Sequence, residues 1–497
     1  TSSTADALAL AQSMRGPATE VRNPANHDEI VGHVTAATSE DVAQAFDRAA
    51  KAHRAWDEAG ATHRAVCLVA AADALRANRA DLVRLLVKEA GKTLPDAIAE
   101  VREAEDFCRY YAAQARAQFA DPMELPGPTG EENKLSLRGR GVFACISPWN
   151  FPLAIFMGQV TAALVAGNCV VAKPAESTPL IAAFAVRLLH QAGVPQDVLH
   201  YMPAKGRLFG EVAFKHPALA GVCFTGSTST AQFINRALAA REGAIVPLIA
   251  ETGGIHAMIV DSSALLEQVA DDVLASAFTS AGQRCSALRL LFVQEDVADR
   301  LVELIAGGMD ELLIGDPSQP ATDVGPVISA SAAEKLEEYS SQQQRNGVRL
   351  LKQCKLDHLQ ARGSYFAPRL LELSDASELK SEEFGPILHL VRYRRDRLDA
   401  VVEAIRVAGY GLTLGIHTRI EGTWQQIVTN AAVGNIYVNR NMIGAVVGVQ
   451  PFGGEGLSGT GPKAGGPHYL LRFATERTLT VNTVATGGNA RLLSLAS

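Results

Sequence analysis

The sequence predicts an α/β protein of two doubly wound domains with an added β-hairpin and strand element. Three patterns predict it. Between Val142 and Ala250 apolar strand candidates alternate with helical segments, a second alternating series follows Glu251, and period-two segments stand at Lys134–Arg138 and near the C-terminus. At 497 residues the chain is too long for one ordinary core. A hydrophobic fraction of 47% with 20% charged residues is that of a globular protein and excludes a disordered one. The 46 Lys and Arg against 53 Asp and Glu leave a formal net charge of −7 without a long basic run, so nucleic acid and anionic membrane surfaces are not expected partners. Small molecules are.

Taken in order, residues 1–120 read as amphipathic helices over Glu40–Glu58, Thr62–Asn78, Ala80–Gly91 and Pro95–Phe119. Pro122, Pro126, Gly127, Pro128 and Gly130 then mark turns, and the alternation Lys134-Leu135-Ser136-Leu137-Arg138 marks a hairpin-like excursion. Strands follow at Val142–Ile146, Val170–Ala172, Val198–Met202, Gly221–Phe224 and Ile245–Ala250, with a helix over Thr178–Gln191. The second series has helices near Leu265–Ser280 and Val297–Ile314 and strands near Leu288–Val293, Ile387–Tyr393 and Gly434–Asn439. The expected units are residues 1–121 with 141–250, residues 251–460, and an excursion and tail at 122–140 and 475–497. The terminal strand Arg477–Ala485 is expected to pair either with the Lys134 hairpin or with another chain, because an open edge is costly.

No charged residue occurs from Gly141 to Ala172, but Pro148, Asn150, Pro152, Gln159, Gly167 and Asn168 break that run into strand, helix and strand, not a membrane span. Seven scattered cysteines with no C-x-x-C pair argue against a disulfide scaffold or a metal site and for a reducing compartment, the cytoplasm. The N-terminal Thr1-Ser2-Ser3-Thr4 begins nothing like a signal peptide.

Five motifs carry chemistry. Gly282-Gln283-Arg284-Cys285-Ser286 sets a thiol beside a cation and among polar residues, where a thiolate is better tolerated than in an apolar core. Glu251-Thr252-Gly253-Gly254 puts a carboxylate at a strand end, where burial would raise it toward a useful general base. In Ile146-Ser147-Pro148-Trp149-Asn150-Phe151-Pro152 an amide between two prolines is a stiff donor suited to an oxyanion. Lys173-Pro174-Ala175-Glu176 offers a cation and a carboxylate at a strand end, and Thr225-Gly226-Ser227 leads a strand into a helix with free N–H groups for phosphate. Each alone could be an ordinary loop or core feature, and the Rossmann fingerprint G-x-G-x-x-G is absent.

In this order the five motifs, with Glu382-Glu383-Phe384-Gly385-Pro386 and Pro451-Phe452-Gly453-Gly454, resemble the aldehyde dehydrogenase superfamily over nearly the whole chain. The resemblance implies an aldehyde dehydrogenase-like fold with an NAD-binding domain (1–121, 141–250), a catalytic domain (251–460) and an oligomerisation flap with a tail. It implies Cys285 as nucleophile, Glu251 as base, and Asn150 with the Cys285 N–H as oxyanion hole. NAD would lie along Ile146, Ser147, Pro148, Trp149, Lys173, Glu176, Gly206, Thr225, Gly226, Ser227, Thr252, Gly253, Glu382 and Phe384. Asn439–Gly448 and Gly459–Pro467 resemble more narrowly the glutamate-semialdehyde (pyrroline-5-carboxylate) dehydrogenase branch, and within it the catalytic half of bifunctional proline utilization A proteins. That implies L-glutamate 5-semialdehyde as substrate, its α-carboxylate on Gly444, Ala445 and Ser286, its stem between Phe151 and Phe452, and its ammonium near Glu103, with Arg284 alongside. It further implies a homodimer and an FAD-bearing proline dehydrogenase domain in a parent polypeptide. The chain departs from its relatives at Ala231, where many have glycine, and at His256, where an amide is usual and where a histidine could perturb Glu251. The alternatives are another semialdehyde or aliphatic aldehyde with NAD(P), acyl transfer to coenzyme A, and an inactive scaffold.

Overall fold

The computed structural model describes residues 9–356 and 359–486. Thr1–Thr4 and the tail beyond Thr486 lie outside the described residues. A helical turn at residues 9–11 (α1) leads into a hairpin of β1 (Ala18–Asn23) and β2 (Asn26–Thr35). This hairpin corrects the expectation of helices alone over the first 120 residues. β1 buries only Val21 and Asn23, so no apolar alternation marks it. The helices α2 (Ser39–Glu58), α3 (Ala61–Ala77), α4 (Arg79–Ala90) and α5 (Leu94–Phe119) start and stop within one residue of their predicted bounds. Their ends carry recognisable signals. Thr38 and Asp41 form a reciprocal capping box on α2, Gly91 closes α4 at φ 65°, and Pro95 stands in the first turn of α5.

The next stretch builds a parallel sheet from β5 (Val142–Ile146), β6 (Cys169–Lys173), β7 (Leu199–Tyr201), β8 (Leu219–Gly226) and β9 (Leu248–Thr252), in the order β7-β6-β5-β8-β9. Its helices are α6 (Ala154–Val165), α7 (Pro179–Gln191), α8 (Gly206–Ala213) and α9 (Thr228–Ala239). β6 is buried throughout and β5 nearly so, as an uncharged run covered on both faces requires. Strand order reverses between β5 and β8, so the segments leaving Ile146 and Gly226 flank the crevice at the strand ends where open α/β sheets take ligands.

The second sheet is formed by β10 (His256–Val260), β11 (Leu288–Gln294), β12 (Arg349–Gln353), β13 (Arg369–Leu373), β14 (Ile387–Tyr393), β16 (Thr413–His417) and β17 (Asn435–Val438). Its order is β12-β13-β14-β11-β10-β16-β17, with β12 antiparallel. Helices α10 (Leu266–Phe278), α11 (Glu295–Glu311), α12 (Ala330–Arg345), α13 (Leu398–Val407) and α14 (Glu421–Asn430) accompany it, and β15 (Tyr410–Gly411) pairs with β18 (Glu455–Gly456). Two large hydrophobic clusters result, one built mainly from residues up to Ala250 and the other from Ile255 onward, with a small third one at Leu356, Tyr365 and Ala367. Tyr469, Leu470 and Phe473 return to the first.

β3 (Met123–Leu125), β4 (Glu131–Gly139) and β19 (Ala474–Asn482) make a separate antiparallel sheet ordered β19-β4-β3, with Thr478 opposite Leu135. Of the two pairings open to the terminal strand, the one with the Lys134 segment is present within the chain. No described helix is long and apolar enough to cross a membrane.

Candidate active site

Cys285 lies between α10 and β11, and Glu251 near the end of β9. Both line one cavity of about 110 Å³. Of the seven cysteines only Cys285 keeps part of its surface open. The chain reaches it through Ser280, Ala281 and Gly282, all left-handed at φ 57°, 53° and 66°. Two non-glycine residues there store strain of about 1–3 kcal/mol each, which the packing around them must hold.

Burial pushes the Cys285 thiol up to about 12, and the carboxylates of Glu382, Glu251 and Glu103 push the same way. Neighbouring Arg284 acts in the expected direction, toward the thiolate, but is outweighed. Its guanidinium donates to Asp96 at 2.7 Å and to Ser280 Oγ at 3.1 Å. Glu251 accepts from the Gly454 N–H at 3.0 Å, its Oε1 has no partner, and burial raises it to about 8. That value suits a group that must be neutral and ionised in turn. Lys463, which hydrogen-bonds the Gly434 carbonyl, opposes the rise. His256 is fully buried at the start of β10 and contacts the backbone of Cys285, not Glu251, so its influence falls on the Cys285 loop. Ala231, also buried, lies in the first turn of α9.

Phe151 and Phe452 line the cavity, as do Glu103, Arg284, Ser286, Gly444 and Ala445. Gly444 stands at φ 73° with open space around its Cα, the conformation in which a loop without side chains turns its N–H groups toward an anion. Burial, and then the charge of Glu100, raise Glu103 to about 7. Asn150 lies behind this wall. Its Nδ2 donates to the Gln283 carbonyl at 3.2 Å, which fixes the amide against the Cys285 loop in a small adjacent pocket lined also by Lys92 and Ser280. Sequence reasoning missed Phe107, Gln159 and Tyr469, which also line the cavity. Glu103 and Phe107 share a face of α5 with Asp96 and Glu100, at steps of four, three and four, and that spacing was the available signal.

A second group lies along the crevice of the first sheet. Ile146 closes β5 opposite Lys173 and Phe224. Ser147 donates to Gln159 Oε1 at 2.8 Å, and Gln159 in turn donates to Thr225 at 2.8 Å. Lys173 is buried, its Nζ on the Pro174 carbonyl at 3.0 Å, and Glu176 accepts from the Gly206 N–H at 2.9 Å. Ser227 caps α9 by accepting from Thr230 N, so its hydroxyl already serves the helix. Thr225 and Thr252 reach the Cys285 cavity itself, while Gly226 pairs with Thr252 across β8 and β9. After Pro148, Trp149 packs edge-on against Phe384, with ring centroids 5.4 Å apart. The Glu382 carboxylate fills the space a Cβ on Gly253 would take, 2.0 Å from that position, and meets Arg289 at 3.5 Å. Burial raises it to about 7, with Arg289 opposing. No cluster of three or more potential metal ligands occurs among the described residues.

Residues 11–479 match the model of the aldehyde dehydrogenase family. The bifunctional protein PutA of Escherichia coli K12 is 49% identical over 93% of this chain, and the 1-pyrroline-5-carboxylate dehydrogenase of Geobacillus kaustophilus is 37% identical over 92% of it. The alignments cover 34% of the first relative and 88% of the second, so the chain spans about a third of the length of the PutA proteins it matches. Among solved structures, a bifunctional proline utilization A protein superposes with a TM-score of 0.89 at 58% identity, over 91% of this chain and 46% of that one. A 1-pyrroline-5-carboxylate dehydrogenase from Thermus with bound NAD superposes with a TM-score of 0.89 at 30% identity, over 97% and 96%.

Proposed function

The chain belongs to the aldehyde dehydrogenase family, and from that premise we propose that it oxidises L-glutamate 5-semialdehyde, the open form of pyrroline-5-carboxylate, to L-glutamate with NAD. The observation that carries this reading is one cavity that holds Cys285, Glu251 and the bare loop Gly444–Ala445 together. An aldehyde at the sulfur and a carboxylate at the loop are the two ends of that substrate.

The residues of the crevice fit NAD. Glu176 Oε1 and Lys173 Cε lie 3.9 and 4.0 Å from where a Cβ on Gly206 would stand, a polar corner suited to ribose hydroxyls, and the α9 N-terminus offers amides to the pyrophosphate. The hollow over Gly253, into which Glu382 folds, suits the nicotinamide side. When bound, NAD accepts the hydride released by the substrate carbon.

The chain's own groups do the rest. Glu251 takes the Cys285 proton, and the sulfur attacks the aldehyde carbon. The oxygen gains the negative charge, which the free Asn150 N–H and the Cys285 N–H hold. Loss of the hydride leaves a thioester on Cys285. Glu251 gives up the first proton to solvent and then removes one from water; the hydroxide adds to the thioester carbon, the C–S bond breaks, the released thiolate is reprotonated, and glutamate leaves. An available base argues for hydrolysis over transfer to coenzyme A. A homodimer in the cytoplasm, supplied by an FAD-bearing proline dehydrogenase domain of a parent polypeptide, completes the proposal; the bifunctional PutA relatives, of which this chain covers 34% and 46%, support the longer parent polypeptide.

NADH absorbance with L-glutamate semialdehyde, propanal and succinate semialdehyde at matched concentrations tests it, with Cys285→Ala as blank. A strong preference for glutamate semialdehyde is expected. Equal rates would remove the role of the Gly444 loop, and turnover by Cys285→Ala would remove the nucleophile.

A further inference from the structure

The walls of the cavity are held by a buried charge network that none of the steps above uses. Lys92, in the turn between α4 and α5, pairs with Glu100 at 2.8 Å, with side-chain exposures of 5% and 0%. The second Glu100 oxygen accepts from the N–H groups of Leu153 at 2.8 Å and Ala154 at 3.2 Å, at the start of α6. The Lys92 ammonium also lies 4.0 Å from the centre of the Phe151 ring, and the Arg284 guanidinium lies 5.3 Å from it. Residues 151–154 are therefore pinned from both sides, and Asn150 immediately precedes them. One helical turn earlier on α5, Asp96 accepts from Ser280 Oγ at 2.6 Å and from Arg284 at 2.7 Å, which pins the left-handed turn that leads to Cys285.

We propose that Lys92 is a positioning residue: through Glu100 and the Phe151 ring it sets the Asn150 amide in register with the Cys285 loop. A buried cation held over an aromatic face and facing a carboxylate has little room to move, and it is desolvated where cation–π attraction is strongest. α5 is then the common reference for both halves of the reacting centre. Glu100 fixes the donor and Asp96 fixes the nucleophile, one helical turn apart.

The proposal rests on the reading of Cys285 and Asn150 above, but not on the choice of aldehyde. Any aldehyde develops the same oxyanion, so propanal carries the test if glutamate semialdehyde proves not to be the substrate. Lys92→Met is expected to lower kcat about 10²-fold with both aldehydes, the scale of losing one oxyanion donor, and to move KM less than about threefold. Lys92→Arg, which keeps the charge over the ring, is expected to recover most of that loss. A kcat for Lys92→Met within about threefold of wild type would overturn the proposal, as would an equal loss in Lys92→Arg. Should Lys92→Met not fold, Lys92→Gln with and without Phe151→Leu decides the matter. In the presence of the ring the glutamine is expected to lower kcat about 10²-fold and in its absence much less, and an equal loss in both backgrounds would overturn the coupling through Phe151.

Discussion

Replacing Glu251 by Gln tests the base, and its size follows from the site. The substitution keeps an oxygen for the Gly454 N–H at 3.0 Å and removes only the ability to take a proton. Burial raises Glu251 from the ordinary 4.5 to about 8. At pH 7 about one molecule in ten then carries the ionised base, and wild-type turnover should climb roughly tenfold between pH 7 and 9 before levelling. The sign follows from ionisation. A carboxylic acid whose pKa is raised is inactive as a base below that value and becomes active as pH rises through it. Glu251→Gln should flatten this rise and lower steady-state turnover by about 10²- to 10⁴-fold, the usual yield of a positioned base. Stopped-flow NADH absorbance separates the two roles of Glu251. If hydrolysis needs it more than thiol activation does, a slow single-turnover burst survives in the variant and the thioester accumulates, visible by mass spectrometry after acid quench. Steady-state turnover within about tenfold of wild type, or an unchanged pH midpoint near 8, would refute the assignment.

Gly444→Val places a β-branched residue at φ 73°, where it is strained although space is open; KM for glutamate semialdehyde should rise about tenfold or more while propanal is little affected, from the loss of amide donors to a charged group. Glu176→Gln can keep the bond from the Gly206 N–H at 2.9 Å and drops the charge; kcat/KM for NADP relative to NAD should rise about tenfold, and an unchanged ratio would count against Glu176 at the ribose. Glu89, buried under the first turn of α7 with both oxygens on amide N–H groups, is raised by burial from 4.5 to about 8. A raised carboxyl contributes stability that is complete below the unfolded value and lost as pH rises through the folded one, here between about 4.5 and 8 and worth at most about 5 kcal/mol. Thermal unfolding should therefore fall from pH 6 to 9 in wild type, and Glu89→Gln should flatten that slope.

Signals in the sequence located the elements that bury apolar surface on a regular period. The uncharged run Gly141–Ala172 yields β5, α6 and β6, and the helices up to Phe119 follow their capping and proline signals. Several of the elements missed lack such periods, although α13, which buries Val401, Val402 and Ile405 at helical spacing, was missed as well. β1 and β2 are largely polar, β12 is half-exposed at a sheet edge, and β16, Thr413-Leu414-Gly415-Ile416-His417, is wholly buried yet carries Gly, Thr and His. His417 faces Asp272 at 3.5 Å, a tertiary partner that no local pattern announces.

The same distinction governs the reacting centre. Cys285, Glu251 and Gly444 stand in short motifs whose composition is unusual for core or loop, so their chemistry shows in one dimension. Lys92, Asp96 and Glu100 do not. Lys92 stands in the turn before α5 and Asp96 and Glu100 on its first turns, and at steps of four they read as the charged face of a solvated helix, because such spacings are what exposed helices carry. Only the fold turns that face inward, onto Phe151 and Arg284. Arg284 draws the Cys285 thiol toward ionisation, but burial and the three surrounding carboxylates outweigh it. In the proposed mechanism the reactivity of the sulfur therefore rests on a base that exchanges protons near neutrality, the role given to Glu251, raised to about 8 in the same cavity. Burial that makes the thiol hard to ionise is thus the condition that makes its partner a usable base.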